Sequence, residues 1–464
     1  MKTIKYIWIM CLAMTASVFT ACSDDDAQST PMTISKVYLE TAGSSATHPS
    51  REVDFARLGQ LLRIEGSGFS GLKKIYVNGY DTYFNNALMT DNNVWVALNS
   101  KTPVDKADPE VRNTIRFVKD NTETVYQFTI RAAAPSIASI SNTLPQAGEL
   151  VTVQGANLQE ITQITLPGGL LLTSGIESDE DGEWFTFTMP AGVTEGGSIQ
   201  AVGANGTAIS PAYFNFTSCI ILDFDGNGTQ GYWSWSENGS MINDEDLVDD
   251  PLNSGRGKVC QLIPQRIIDA GGAVVKTRNS EVWTAGNGND ADDWTHWFNV
   301  IDPSTPLSEL AFQFDIYVPQ EWEGTGQIQV TAQNNISFNG YGSDETKSST
   351  TKTTVWIPWL NDDGSTTPFK TDGWQTVTIP LSQFSKYANE IEDGQTPTFQ
   401  EIADDRNAAE ANSSYKNFGV GFVNSDIIYK GTEYPGSICS LLIYVDNFRI
   451  VPNKTITVSD FDDD

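Results

Sequence analysis

A nine-residue run recurs 89 positions downstream without a gap, and this duplication constrains the fold more than any other feature of the chain. Leu58-Gly59-Gln60-Leu61-Leu62-Arg63-Ile64-Glu65-Gly66 aligns with Ala147-Gly148-Glu149-Leu150-Val151-Thr152-Val153-Gln154-Gly155. Beyond it, Phe69 falls on Leu158, Ile75 on Ile164, Val77 on Leu166 and Gly79 on Gly168. The pattern is a turn glycine, a strand with alternate residues turned inward, a second glycine, and another strand closed by glycine. Glycine at fixed turns supplies backbone angles that other residues resist. Two copies of one supersecondary unit follow, spanning 33–132 and 134–217. The small residues and proline of Arg131-Ala132-Ala133-Ala134-Pro135-Ser136 separate them.

The rest of the chain has the same texture: short alternating runs broken by Gly, Asn, Asp and Pro, with no long amphipathic helix. Only the stretch around Phe399 to Ala411 reads as locally helical. A larger third unit covers 218–453. There Phe312, Phe314, Ile316 and Val318 alternate along one strand, Ile328, Val330 and Ala332 along the next, and Val377 with Ile379 along a third. Phe418, Val420 and Phe422 make a fourth, and Leu441 to Ile450 closes the unit. Some 230 residues of this kind suit one large sandwich with long loops.

At the amino end, Lys2 and Lys5 precede an apolar run from Ile7 to Val18, which is shorter than the roughly 20 residues a spanning helix needs. Phe19-Thr20-Ala21-Cys22 ends it with small residues before a cysteine, the order of a secretory signal over 1–21. The cysteine resembles that of a bacterial lipobox, although Phe19 stands where Leu is usual. That resemblance implies that Cys22 is lipidated and that the membrane is reached by the lipid anchor only. Asp24, Asp25 and Asp26, in an acidic linker over 22–32, resemble the surface-export signal of Bacteroides lipoproteins. An acidic tail occupies 454–464. The formal net charge of −31 opposes nucleic acid and anionic lipid, both of which need clustered cations, and makes a neutral partner the natural one. Cys219, Cys260 and Cys439 are far apart, show no metal-knuckle spacing, and read as buried free thiols.

Tryptophan is concentrated in the third unit: Trp233, Trp235, Trp283, Trp294, Trp297, Trp322, Trp356, Trp359 and Trp374, against Trp95 and Trp184 in the repeats. Several have polar neighbours, as Trp322 has between Glu321 and Glu323, and such surroundings suit loops and rims. An exposed indole matches the apolar face of a sugar ring with few rotamers to freeze. Trp322, Trp356, Trp359 and Trp297 are therefore the expected glycan platform. Trp374 reads as core, and Trp233 and Trp235 as structural. Asp223-Phe224-Asp225-Gly226-Asn227-Gly228 copies the start of a calcium loop but has Ser234 where its last acidic ligand belongs. A structural calcium on Asp223 or Asp225 with Asp446 is an alternative to a plain polar turn.

With only His48 and His296, a three-histidine zinc site cannot be built, and no nucleophile-elbow sequence supports a triad. Carboxylate pairs are uninformative in so acidic a chain. The chain reads as a non-catalytic binding protein, with a surface glycoside hydrolase or lyase and a non-sugar adhesin as the alternatives.

Two family resemblances follow from these residues. The twin glycine-strand pattern is similar to the immunoglobulin-like TIG (IPT) sandwich. The segments Trp356-Ile357-Pro358-Trp359-Leu360 and Thr371-Asp372-Gly373-Trp374-Gln375-Thr376-Val377-Thr378-Ile379-Pro380-Leu381, with the strands at Phe312 and Tyr444, resemble the C-terminal domain of Bacteroides surface glycan-binding proteins. The fold class implied is all-β: tandem immunoglobulin-like (TIG/IPT) sandwiches followed by a larger carbohydrate-binding β-sandwich. The second resemblance also implies a polysaccharide of the β-glucan or xyloglucan class as ligand, a SusC/SusD-like outer-membrane transporter complex as partner, and an extracellular, outer-membrane location.

Overall fold

The computed structural model describes residues 24–40, 51–228, 242–262, 279–284, 293–333, 352–411, 416–424, 426–429 and 431–458. The chain divides into two compact units, Met1–Pro135 with Gly203–Gly206, and Ser136–Val202 with Thr207–Asp464.

The first unit holds one sandwich of two four-stranded antiparallel sheets. Arg51–Glu52, Thr33–Leu39, Leu61–Ser67 and Asn93–Ala97 lie side by side in that order. The facing sheet runs Tyr80–Thr82, Lys74–Val77, Thr114–Val118 and Glu123–Gln127. Alternation puts Leu62, Ile64, Ile75, Val77, Val94 and Phe117 between them. The acidic leader is not wholly extended, because Asp24–Ser29 forms a short helix. The Lys119 ammonium donates to the carbonyls of Ala27 and Thr30, at 2.7 and 3.2 Å.

The second repeat reproduces this plan in Ser136–Ile140, Leu150–Ala156, Trp184–Thr188 and Ile176–Ser178, facing Leu170–Leu172, Gln163–Leu166, Gln200–Gly203 and Gly206–Ile209. The duplicated glycines have duplicated reasons. Gly59 and Gly148 turn with φ of 85° and 95°, in the left-handed region that glycine enters at little cost. Gly66 and Gly155 sit where a Cβ would lie 2.0 Å from the Thr33 carbonyl oxygen and 1.9 Å from that of Ser136. Both first strand pairs slip register at the equivalent place, between Ile34 and Lys36 and between Ile137 and Ser139.

The terminal sandwich packs a larger sheet against a four-stranded one. The larger sheet runs Leu247–Asp249, Lys258–Leu262, Ile443–Pro452, Leu310–Tyr317 and Gln375–Pro380, with Ile220–Leu222 also pairing the long closing strand. The other runs Asn279–Trp283, Gly419–Val423, Gln327–Thr331 and Thr353–Trp356. The alternating residues Phe312, Phe314, Ile316, Ile328, Val330, Val377, Ile379, Val420 and Phe422 form the core, as their spacing requires. Phe399–Ala411 is the helix read from sequence, and Ser385–Glu392 is a second that sequence did not disclose. Cys219, Cys260 and Cys439 are buried thiols, and burial pushes the Cys219 thiol up to about 12.

Within the second unit the two sandwiches are fused. Ala311 and Val451 of the terminal domain complete the core of the second repeat, and Phe216 packs against both cores. A buried ionic network seals the junction. Asp315 accepts from Arg256 at 2.7 Å, Arg449 at 2.9 Å and Thr376 at 2.9 Å. Thr143 of the second repeat accepts from Arg449 at 2.8 Å, and its hydroxyl donates to Gln313 at 2.9 Å.

Candidate functional site

Among the four tryptophans read from sequence as a platform, three prove to be core. Trp322 and Trp359 are fully enclosed and Trp297 is nearly so. The Trp322 indole N–H donates to the Thr325 carbonyl at 2.7 Å, and its ring packs 5.4 Å from Phe422. Trp359 donates to the Gly326 carbonyl at 2.9 Å and meets Tyr434 edge-on at 5.7 Å. Trp297 pairs with Trp294 at 5.7 Å inside the same core. An indole with no open face cannot stack a sugar, so the placement of these three at a rim is corrected. The misleading signal was the polar flank. Consecutive side chains of an extended chain point to opposite sides, so Glu321 and Glu323 lie away from the ring between them.

Trp356 differs. It ends the edge strand Thr353–Trp356 and remains partly exposed, with Ile357, Leu360 and Phe369 beside it in the same condition. Three aromatic rings fix its plane: Phe314 at 6.0 Å, Trp322 at 5.9 Å and Phe369 at 5.3 Å, all close to perpendicular. Edge-to-face contacts of this kind are worth about 0.5–1.5 kcal/mol each beyond burial, so the indole is held before any ligand arrives. Backbone bonds of 2.9 Å in each direction between Trp322 and Phe369 pin the segment carrying Phe369, and the Thr366 hydroxyl reaches Glu323 at 3.3 Å. The rim thus combines an oriented apolar surface with hydroxyl and carboxylate groups.

Two further tryptophans of this sandwich, Trp283 and Trp374, are also buried. Trp283 is buried on the face of the four-stranded sheet away from the main core, where it clusters with Val423 and donates to Glu281 at 2.7 Å. Trp374 is buried but lies outside the main core cluster. Its indole N–H donates to Asp250 at 2.9 Å, and the Arg256 guanidinium lies 5.0 Å over its ring. Trp233 and Trp235 lie outside the described residues, as does His48.

The carboxylates weighed for calcium are occupied by N–H donors. Asp223 Oδ1 takes the backbone N–H groups of Asp225, Gly226, Asn227 and Gly228 at 3.0–3.3 Å, and its Oδ2 takes the Asn227 amide at 2.8 Å. Asp225 takes the Lys258 N–H at 3.0 Å. Asp446 takes the backbone N–H of Asn447 at 2.8 Å. This is how a capped turn uses its acids. Among the described residues, no three His, Cys, Asp or Glu side chains converge as a metal site. Asp446 is nonetheless unusual: burial, and after it the charge of Asp315, push its carboxyl well above the usual range. Burial acts on Asp315 in the same direction, but Arg449 and Arg256 outweigh it and hold that carboxyl low.

Fold and rim together define a modular all-β protein in which two immunoglobulin-like sandwiches precede a larger, aromatic-rich one. The family model for the surface glycan-binding protein B xyloglucan binding domain matches residues 214–452, the terminal sandwich with its lead-in, and the chain belongs to that family. A curated IPT/TIG domain-containing protein of Bacteroides ovatus is 23% identical over 332 residues, 70% of this chain and 54% of the relative. The chain therefore spans about half the length of that relative. Among solved structures, a surface glycan-binding protein from Prevotella bryantii superposes with a TM-score of 0.62 at 22% identity, covering 92% of this chain and 100% of its own. A surface glycan-binding protein from a xyloglucan utilization locus of Bacteroides uniformis gives a TM-score of 0.43 at 19% identity, over 91% and 100% of the two chains.

Proposed function

We propose that this protein captures a neutral polysaccharide of the β-glucan or xyloglucan class without cleaving it. The lipid on Cys22 anchors it at the outer face of the outer membrane, and it serves a SusC/SusD-like uptake complex. One coincidence carries the reading: the family match covers residues 214–452, the sandwich whose rim presents the oriented, partly exposed Trp356. A neutral ligand also suits a chain of net charge −31, which repels polyanions.

Affinity electrophoresis against a panel of neutral polysaccharides tests the capture. The mature chain is retarded by at least one, and release of reducing ends during incubation would refute the absence of cleavage. Losing one stacked indole removes about 2 kcal/mol, roughly thirtyfold in affinity. Trp356→Ala therefore weakens binding at least about tenfold while the fold persists, and unchanged affinity would place the site elsewhere. Cys22→Ala frees the protein from the membrane, and protease added to intact cells digests the wild type. Protection from protease would refute the outward location.

A further inference from the structure

The larger sheet of the terminal sandwich carries a second aromatic surface, on the face turned away from the core. In Leu310–Tyr317, the residues Phe312, Phe314 and Ile316 point into the core, so Gln313, Asp315 and Tyr317 point outward. Tyr317 lies directly opposite Tyr444 of the closing strand, and Tyr444 lies opposite Gln261 of Lys258–Leu262. On the other flank Ile316 pairs with Gln375, which brings Trp374 beside Tyr317. One row of side chains therefore crosses four neighbouring strand positions: Trp374, Tyr317, Tyr444 and Gln261.

The geometry of the row is regular. Ring centroids are 6.0 Å apart from Trp374 to Tyr317 and 5.8 Å from Tyr317 to Tyr444. The two tyrosine planes lie within 22° of parallel. Both tyrosines and Gln261 are partly exposed, while Trp374 is buried as a backstop, fixed by Asp250 and Arg256. Burial and the neighbouring Tyr317 raise the Tyr444 phenol above its ordinary value. Strands repeat at about 4.8 Å, comparable to the length of one sugar ring. An extended pyranose chain crossing the strands meets the stacked pair Tyr317 and Tyr444 in turn and the Gln261 amide at the end.

We propose that Tyr317, Tyr444 and Gln261, backed by the buried Trp374, form a second contact surface for a neutral glycan chain, on the opposite sheet from Trp356. The inference rests on the capture reading above and adds a site to it. Two surfaces on one domain let a single polymer be held at two places, which raises its retention well beyond either contact alone.

The test uses the full mature chain with xyloglucan and mixed-linkage β-glucan, as polymers and as oligosaccharides, in calorimetric titration beside a melting curve. Wild type binds the oligosaccharide at two sites. Tyr317→Ala/Tyr444→Ala binds at one, and its affinity for the polymer falls about tenfold or more. Tyr317→Phe/Tyr444→Phe keeps both sites, because stacking needs the ring and not the hydroxyl. A measurement on unaltered protein removes dependence on the alanine variant folding: bound oligosaccharide shields Tyr317 and Tyr444 from nitration, read by mass spectrometry. Equal nitration with and without sugar, or full wild-type binding by the double alanine variant, overturns the second surface and leaves capture standing. Failure of the wild type to bind either glucan overturns both.

Discussion

Asp315 sits at the centre of the buried ionic network in the second unit. Its side chain is wholly buried, as are those of its partners Arg256 and Arg449, at 2.7 and 2.9 Å. Asp315→Ala leaves Arg449 in a dry junction without its paired carboxylate and Arg256 with only the more distant Glu149, at 3.8 Å. Removing one partner of a buried ion pair costs about 3–5 kcal/mol, and at about 1.5 °C per kcal/mol for a unit of about 325 residues the melting point falls by roughly 5–8 °C. The loss depends on pH in a definite sense. Asp446 lies directly across from Asp315 on the neighbouring strand, and the charge of Asp315 helps keep it protonated. Without Asp315, Asp446 ionises more readily and replaces part of the missing charge, so the penalty is smaller at pH 8 than at pH 5. Calorimetric melting of Asp315→Ala and Asp315→Ala/Asp446→Ala at both values reads this directly. The double variant lacks the recovery at pH 8. A single variant that melts within about 2 °C of wild type at both pH values would refute the claim that this network holds the junction.

Trp322→Ala should cost about 3–5 kcal/mol of stability, because it empties a fully enclosed indole site; a urea midpoint unchanged from wild type would contradict its core placement. Asp446→Asn tests the raised carboxyl. A group whose folded pKa is raised contributes its stability below the unfolded value, about 3.9 for Asp, and loses it as pH rises through the folded value. The asparagine variant should thus equal or exceed wild type in melting temperature at pH 8, with the advantage gone near pH 4. An advantage that grew toward acid would show the sign to be wrong.

Much of the fold was legible because it is written in local periodicity. Strand alternation named Phe312, Phe314, Ile316, Ile328, Val330, Val420 and Phe422 as core, and each is buried. The duplicated glycines disclosed two copies of one sandwich, since a required backbone angle or a missing Cβ leaves the same residue at the same place. The helix at Phe399–Ala411 was visible for the same local reason.

Direction and pairing were not. In an extended segment the outward Glu321 and Glu323 turn the Trp322 ring inward, but nothing adjacent to Trp322 says that the segment is extended and not a loop. The junction unites Thr143, Arg256, Asp315 and Arg449, and Thr143 and Arg449 are 306 residues apart in sequence. Tyr317 and Tyr444 each look like an ordinary strand residue until the register sets them opposite one another. Sequence determined which residues form strands and which side of each strand is apolar, because those depend on near neighbours. Tertiary structure alone decided which strands meet and at what register, because pairing is a contest among distant segments settled only when the core closes.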